Sequence, residues 1–593
     1  MGDPVDEVDG PIQWVDDPDP SLFPTGATAF LGQDGVVGPE PPQQPDDRFL
    51  GLVVHVGDGI GVALETSADN RSQGRKDDGG SGSGGIDGNL EIGRSHGINL
   101  RIRTLHLVRS ALLSLAAAGL LVLAFPPYSI AFLVPVALAL FLYTLRRTRH
   151  PLLCGVIFGW GFFSGLVYWV GELGFIAVAP LVFVFGLYPG LYGWLVARVP
   201  DGSPFFAAAV GGWALLELIR VRFPVGGFEW GLTGYSMGEY RWTREAAAFV
   251  GTSGWGVVLM ALAAGLVLSW ERRRITKPLL VAGGATVILA LLGASVPGRA
   301  TGDTVRVAIV QGSTPCPLEH CFGERQATYE MHLAQTRAIR EGSVDLVVWP
   351  EGSTGSFDAD PVLVPEVAAE IGAEAARIGA SFLVGGDRPI SDTEWINAIV
   401  AFDEDGEIVG EYRKRHPVPF GEYIPARPLF DWIPALSQVP RDMIRGDRSG
   451  VFDLVPGRIG TIISFEGAFA RYGRTAARAG AELLVVASNE GSYEFTPVSD
   501  QFIGMTRMRS AELGLDVVHA AVTGKSTFIT DGGVVGEAAD FLAETVIYED
   551  LELATGPLTL YARWGDWVQI VTVSAAALYF FWKRPSARRE IPS

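Results

Sequence analysis

The stretch LVRSALLSLAAAGLLVLAF at residues 107–125 decides the fold class. Its one charged residue is Arg109, and about 20 residues at a 1.5 Å rise cross the roughly 30 Å hydrocarbon layer of a bilayer. Comparable runs recur at 128–145, 152–170, 174–197, 204–221, 246–270, 278–295 and 567–582. Helices buried in a water-soluble core are shorter and more amphipathic. That alternative could serve for one segment but not for eight. With 48% hydrophobic and only 19% charged residues in 593, a soluble assembly is excluded.

Basic clusters orient the spans. RRTR at 146–149, ERRR at 271–274 with Lys277, and KRPSARR at 583–589 fall on alternate turns and mark the cytoplasmic side. Eight spans then place both termini inside and the long segment between the seventh and eighth spans outside. Arg220, Arg222, Arg241 and Arg244 fall on the outer side and count against this orientation without reversing it.

Upstream of the first span the composition changes. Residues 1–100 hold 18 acidic against 5 basic residues, a net −13 of the chain's −20. This Gly-, Pro- and Asp-rich stretch cannot bury enough apolar surface to offset chain entropy, so it is expected to be disordered. Gly80, Gly82 and Gly85 fit GxGxxG, but without a preceding strand the spacing reads as low complexity. No signal peptide is expected at Met1, which lacks a basic start and a short apolar core. A natural start further downstream is an alternative reading of the same stretch. No basic groove suited to nucleic acid appears.

Between the seventh and eighth runs the pattern switches to short β-rich segments separated by helical periods. VRVAIVQG, VDLVVWPE, SFLVGGD, WINAIVAFD, RIGTIISFE, ELLVVASNE and VVHAAVTG read as strands. Ala327, Met331, Ala334 and Ala338, and again Val367, Ile371, Ala375 and Ile378, step at helical spacing and define two apolar faces. The class is α/β. The expected organisation is a disordered tail over 1–104, a seven-span α-helical membrane bundle over 105–300, an α/β extracytoplasmic domain over 301–562, and a last membrane helix with a basic tail over 563–593.

Three polar residues stand at expected strand ends, where α/β sheets commonly place their sites. Glu351 follows VVWP, Lys414 lies in EYRKRHPVPFGEYIP, and Ser464 ends GTII. A carboxylate, an ammonium and a hydroxyl brought together by folding provide the base, the oxyanion stabiliser and the attacking atom that acyl transfer needs. Taken singly, they read equally as a turn carboxylate, a solvated charge and a small core residue.

Their order and neighbours resemble the carbon-nitrogen hydrolase (nitrilase) fold with its Glu-Lys-Cys triad. More narrowly, WPE at 349–351, VPFGEYIP at 418–425, GFEWGLTGYS at 227–236 and LYARWGDW at 560–567 resemble the apolipoprotein N-acyltransferase family of the bacterial envelope. That resemblance implies an αββα sandwich fused to a multi-pass bundle in the bacterial plasma membrane. It makes Glu351 the general base, Lys414 the oxyanion stabiliser and Glu422 a fourth, orienting polar residue, with Phe465 and Glu466 supporting the nucleophile position. Trp230 matches a family tryptophan on the lipid-accessible face. The family has Cys where this chain has Ser464, and SNEGSYEF at 488–495 departs from the family's aromatic loop.

The implied mechanism is ping-pong. An acyl chain passes from a membrane phospholipid to the nucleophile, then to the α-amine of a diacylglyceryl-cysteine lipoprotein, with no metal or organic cofactor. A thiol is more readily activated than a hydroxyl, so Ser464 is expected to slow both steps. A catalytically silent scaffold that binds lipidated proteins is therefore the competing reading, and an amidase with water as acceptor ranks below both. Cys316 and Cys321 either close a small disulfide or stand as two exposed thiols. Cys154 reads as packing in a span. His416 and His519 lack a metal-binding pattern.

Overall fold

The computed structural model describes residues 88–296, 301–316, 321, 323–355, 359–430, 432–493, 495–530 and 533–583. Most of the expected disordered tail lies outside these residues. Its end does not stay irregular: helix α1 spans Gly88–Val122 and so begins within the 1–104 stretch.

All eight apolar runs form helices. After α1 come α2 (Leu133–Arg147), α3 (Pro151–Leu166), α4 (Phe175–Val196), α5 (Ser203–Arg220), the single turn α6 (Arg241–Arg244), α7 (Ala247–Glu271) and α8 (Lys277–Ser295), and the chain closes on α14 (Trp567–Trp582). Four of them are long and apolar enough to cross a membrane by themselves: Thr104–Val122, α4, α7 and α8. Turns and polar ends shorten the others, and α3 and α14 fall below that length. Three of the arginines expected on the outer side have local partners. Arg220 Nη1 donates to the carbonyls of Phe228 and Trp230, Arg222 pairs with Asp566 at 2.9 Å, and Arg244 Nη1 donates to the carbonyl of Gly238.

The α/β segment folds into two sheets. In the first, β1 (Thr301–Gln311), β2 (Leu346–Val348), β3 (Ser381–Pro389), β4 (Glu394–Phe402) and β5 (Ile408–Arg413) lie in the order β13-β1-β2-β3-β4-β5, with β6 (Asp442–Met443) beside β4 and β13 spanning Thr545–Ala554. In the second, β7 (Gly450–Leu454), β8 (Gly457–Ile463), β9 (Leu483–Ser488), β10 (Val517–Ala521), β11 (Thr527–Thr530) and β12 (Val534–Ala538) lie in sequence order. Val307, Ile309, Leu383 and Ile399 of one sheet and Ile459, Ile463, Val485 and Val518 of the other form a shared core. Period-2 strands with both faces buried read as continuous apolar runs, hence LLVV and TII.

Helices cover the outer faces. α9 (Glu324–Arg337) and α10 (Pro365–Ile378) pack on the first sheet. The apolar step on α10 holds, with Ile371, Ala375 and Ile378 buried. On α9 it does not: Ala334 and Ala338 are exposed, while Tyr329, His332, Leu333 and Thr336 are buried. Larger side chains win the inner face, because Tyr329 and His332 pack on Trp349, whose Nε1 donates to Thr336 Oγ1 at 2.9 Å. α11 (Ala470–Arg478) and α12 (Val498–Leu513) cover the second sheet and share one hydrophobic cluster with the helical bundle. The short α13 (Leu560–Trp564) leads into α14. Cys316 and Cys321 form a disulfide, and Cys154 is buried in α3.

Candidate active site

Strand ends from both sheets meet at one edge of the sandwich. β2 is followed by Trp349, Pro350 and Glu351, β5 by Lys414 and β8 by Ser464. Lys414 is 0% exposed, and its Nζ donates to Glu351 Oε1 at 2.7 Å and to Glu422 Oε1 at 2.6 Å. Burial works against the ammonium, but the two carboxylates raise it above the ordinary lysine value. Burial likewise raises Glu422, with Lys414 opposing, and the Val418 N–H holds Glu422 Oε2 at 2.7 Å.

Two asparagines complete the hold on Glu351. Asn397 Nδ2 donates to Oε1 at 2.6 Å, and the backbone N–H of Asn489 donates to Oε2 at 3.0 Å. Sequence reasoning missed both. The available signal was a lone amide in the buried strand WINAIVAF and another just past ELLVVAS. A buried polar group in an apolar strand needs a partner, and here that partner is the carboxylate.

Ser464 sits in a turn with φ 49°, in the left-handed region that non-glycine residues rarely occupy. β8 and β9 run parallel with Ile463 opposite Ala487, so Ser464 stands level with Ser488. The ladder ends at the Ile463–Ala487 pair, and two residues past Ala487 the backbone of Asn489 binds Glu351. Among the described residues no hydrogen bond links the Ser464 hydroxyl to Glu351, whose oxygens accept from Lys414, Asn397 and Asn489.

Glu466 is the brace between the two halves of the site. It is 0% exposed. Its Oε2 accepts from the Ile463 N–H at 2.9 Å and the Tyr412 hydroxyl at 2.7 Å, and its Oε1 from the N–H groups of Arg415 at 2.6 Å and His416 at 3.0 Å. One carboxylate thereby ties the Ser464 turn to the residues following Lys414. Burial raises its pKa, and the donors oppose that shift.

The remaining predicted residues lie on the side facing the bundle. Phe465 is half-buried, edge-on to Phe469 at 4.9 Å and 6.4 Å from Phe228. Trp230, expected on a lipid-accessible face, is only 5% exposed. It is enclosed by Trp169, Phe228 and Phe502, because its Nε1 donates to Gln501 Oε1 at 2.7 Å. Tyr493, from the divergent SNEGSYEF loop, packs edge-on to Trp169 at 4.9 Å. Burial pushes its hydroxyl up to about 12, so it remains a neutral donor. His416 is buried beside Arg471, Arg445 and Lys414, which together with burial push it down to about 3, so it is neutral near pH 7.

Chemically, the arrangement pairs a carboxylate with a fixed ammonium after strands of the first sheet and sets a hydroxyl on a constrained turn after β8 of the second. That can move a proton and stabilise an oxyanion.

Comparison with known proteins agrees in both halves of the chain. The profile for the apolipoprotein N-acyltransferase N-terminal domain matches residues 117–265, and that for carbon-nitrogen hydrolase matches residues 306–558. The chain is similar to a protein named apolipoprotein N-acyltransferase from Geobacter metallireducens, 28% identical over 79% of this chain and 94% of the relative. It is similar also to one of the same name from Methylococcus capsulatus, 29% identical over 78% and 94%. A carbon-nitrogen hydrolase crystal structure from Helicobacter pylori G27 aligns with 48% of this chain and 95% of its own, at 17% identity and a TM-score of 0.34.

Proposed function

We propose that the chain is an acyltransferase of the kind its relatives are named for, transferring an acyl chain from a phospholipid to the α-amine of the S-diacylglyceryl-cysteine of lipoproteins. The observation that carries this reading is the buried Glu351–Lys414–Glu422 cluster at the edge where Ser464 ends β8. Glu351 takes the proton of the Ser464 hydroxyl as it attacks the donor ester, and Lys414 stabilises the oxyanion. Glu351 then protonates the departing lysophospholipid, and the amine displaces Ser464 from the acyl-enzyme. Both substrates are anchored in a bilayer, so a site held at its surface shortens the search.

We read the eight helices as eight spans in the bacterial plasma membrane, seven within 105–300 and the last within 563–593, where the basic tail follows on the cytoplasmic side, with 301–562 on the outer side. The basic clusters after α2, α7 and α14 support that orientation. The disulfide Cys316–Cys321 is in keeping with an oxidising compartment.

A silent scaffold is the second reading, favoured by the occupied oxygens of Glu351 and by serine in place of the family's cysteine. Purified protein incubated with phospholipid decides between them. We expect an acyl ester on Ser464 by mass spectrometry, its absence in Ser464→Ala, and acylation faster by on the order of 10²-fold in Ser464→Cys. No acyl adduct on either the parent or Ser464→Cys would favour the scaffold.

A further inference from the structure

β3 ends beside the site with a carboxylate that the reaction above does not use. Asp387 stands directly opposite Asn397 in the antiparallel β3/β4 pair. Paired residues place their side chains on one face with Cβ atoms about 4.5–5.5 Å apart. Asn397 donates to Glu351, so Asp387 shares the face of the catalytic carboxylate. Its Oδ2 would lie 3.9 Å from a Cβ on Gly352, the residue after Glu351. Its Oδ1 is buried and, among the described residues, accepts no hydrogen bond. A cavity of about 250 Å³ opens here, lined by Asp387, Trp395, Gly421, Val439, Arg325 and Arg441 among others. The charged groups facing Asp387 are Glu351, Glu422, Lys414 and Arg325. Arg441, also on the cavity wall, donates through Nε to the carbonyl of Asp392 at 3.2 Å.

We propose that Asp387 receives the α-ammonium of the acceptor's cysteine and removes one of its protons, with the cavity holding that amino end beside the acyl-enzyme. The assignment rests on the acyl-transfer reading above. An α-amine titrates near 7.7–8.0, so it arrives largely protonated at neutral pH and has no lone pair to attack with. A buried oxygen without a donor fits an incoming N–H. Burial, with Glu351 and Glu422 opposite, pushes the Asp387 carboxyl up to about 7, close enough to the amine for the proton to pass readily. The first proton goes from nitrogen to Asp387. The freed lone pair forms the C–N bond at the ester carbonyl. As the C–Oγ bond breaks, one of the two remaining protons passes to Glu351, which returns it to Ser464 Oγ. Asp387 then releases its proton to water through the cavity, and nothing is oxidised or reduced.

A primary ammonium also reaches the site on an ethanolamine headgroup, and the experiment separates the two sources. Binding is measured for a diacylglyceryl-cysteine peptide with a free α-amine and for its N-acetylated counterpart. Acyl-enzyme formation is measured from phosphatidylethanolamine and from phosphatidylglycerol, followed by transfer to the free-amine peptide. The parent protein should bind the free amine roughly tenfold more tightly than the blocked one, and Asp387→Asn should lose that preference. Asp387→Asn should slow acylation from the two donors to the same extent, and by clearly less than it slows transfer. It should transfer roughly tenfold more slowly at pH 7 and recover part of that loss near pH 9, where the amine is free. Overturning results are an amine preference absent from the parent or retained in Asp387→Asn, a loss confined to acylation by phosphatidylethanolamine, or equal loss of both half-reactions. Failure of the parent to acylate at Ser464 would count against the catalytic reading, whereas the binding comparison needs no turnover and still decides the role of Asp387.

Discussion

At the scale of single residues, the site depends on charges held out of water. Lys414 keeps its proton because two carboxylates offset its burial, whereas Asp387 has, among the described residues, no hydrogen bond on Oδ1 and sits across from like charge. Its stability contribution has a definite sign. With a native carboxyl near 7 and an ordinary value of 3.8, the folded state binds the proton more tightly between those limits. Raising the pH from about 4 to 7 therefore costs stability, while below about 4 both states are protonated. Asp387→Asn removes this titration, so its melting temperature should rise relative to the parent as the pH climbs from about 4 to 7, with a constant offset outside that window. Thermal unfolding in detergent at stepped pH measures it, and a pH-independent offset throughout would contradict the buried-carboxylate account. Ser464 carries a different strain: a non-glycine residue at φ 49° costs on the order of 1–3 kcal/mol. Such strain fits a turn whose purpose is to present a side chain.

At the scale of elements, strands from the two sheets must be held in register for the site to exist, and Glu466 does this by joining the end of β8 to the residues after β5. Removing it in Glu466→Ala would leave the N–H groups of Ile463, Arg415 and His416 and the Tyr412 hydroxyl without their acceptor. Each buried unpaired group costs about 1–3 kcal/mol. We expect a clear drop in melting temperature, with the rate of acyl-enzyme formation falling by at least about tenfold and Glu466→Gln falling less on both measures. An unchanged acylation rate in Glu466→Ala would show that the Ser464 turn holds its place without the brace. The elements themselves were legible because their signal is local: apolar runs gave every long helix of the bundle, and Val- and Ile-rich runs gave the strands that carry Glu351 and Ser464. Glu351, Lys414 and Glu422 were legible through their neighbours in sequence. Asn397, Asn489 and Asp387 were not, because their roles arise only from cross-strand pairing and from a turn two strands away. The inner face of α9 was misjudged for a related reason: the period is the same on every face, and only the contact with Trp349 chooses Tyr329 and His332 over the alanines.

At the scale of the whole molecule, the bundle and the α/β sandwich share a core. Phe469, just before α11, and Phe502, Met505 and Met508 on α12 belong to one buried cluster with Trp169, Trp230, Tyr235 and Trp255 from the bundle side. Polar ties cross the same boundary. Gln501 accepts from the indoles of Trp169 and Trp230 and donates to the carbonyls of Leu166 and Pro126, while Glu512 accepts from the Thr252 N–H at 2.6 Å and Arg509 donates to Thr252 Oγ1 at 3.1 Å. Cutting the chain there would expose the apolar side chains of that cluster together on one face, and would remove bundle partners from Gln501, Glu512 and Arg509. A fragment of residues 301–558, expressed without the helices, should therefore elute as aggregate and bind a hydrophobic dye, with mild detergent restoring a smaller species; the full chain in detergent should do neither. A monomeric, dye-silent fragment in plain buffer would mean that the sandwich stands alone and that the shared core is only a contact. The expected result has a functional corollary: a site whose second sheet is backed by the bundle through α11 and α12 moves with the bundle, so Ser464 stays at a fixed height relative to the helices, as the proposed transfer between lipid-anchored substrates requires.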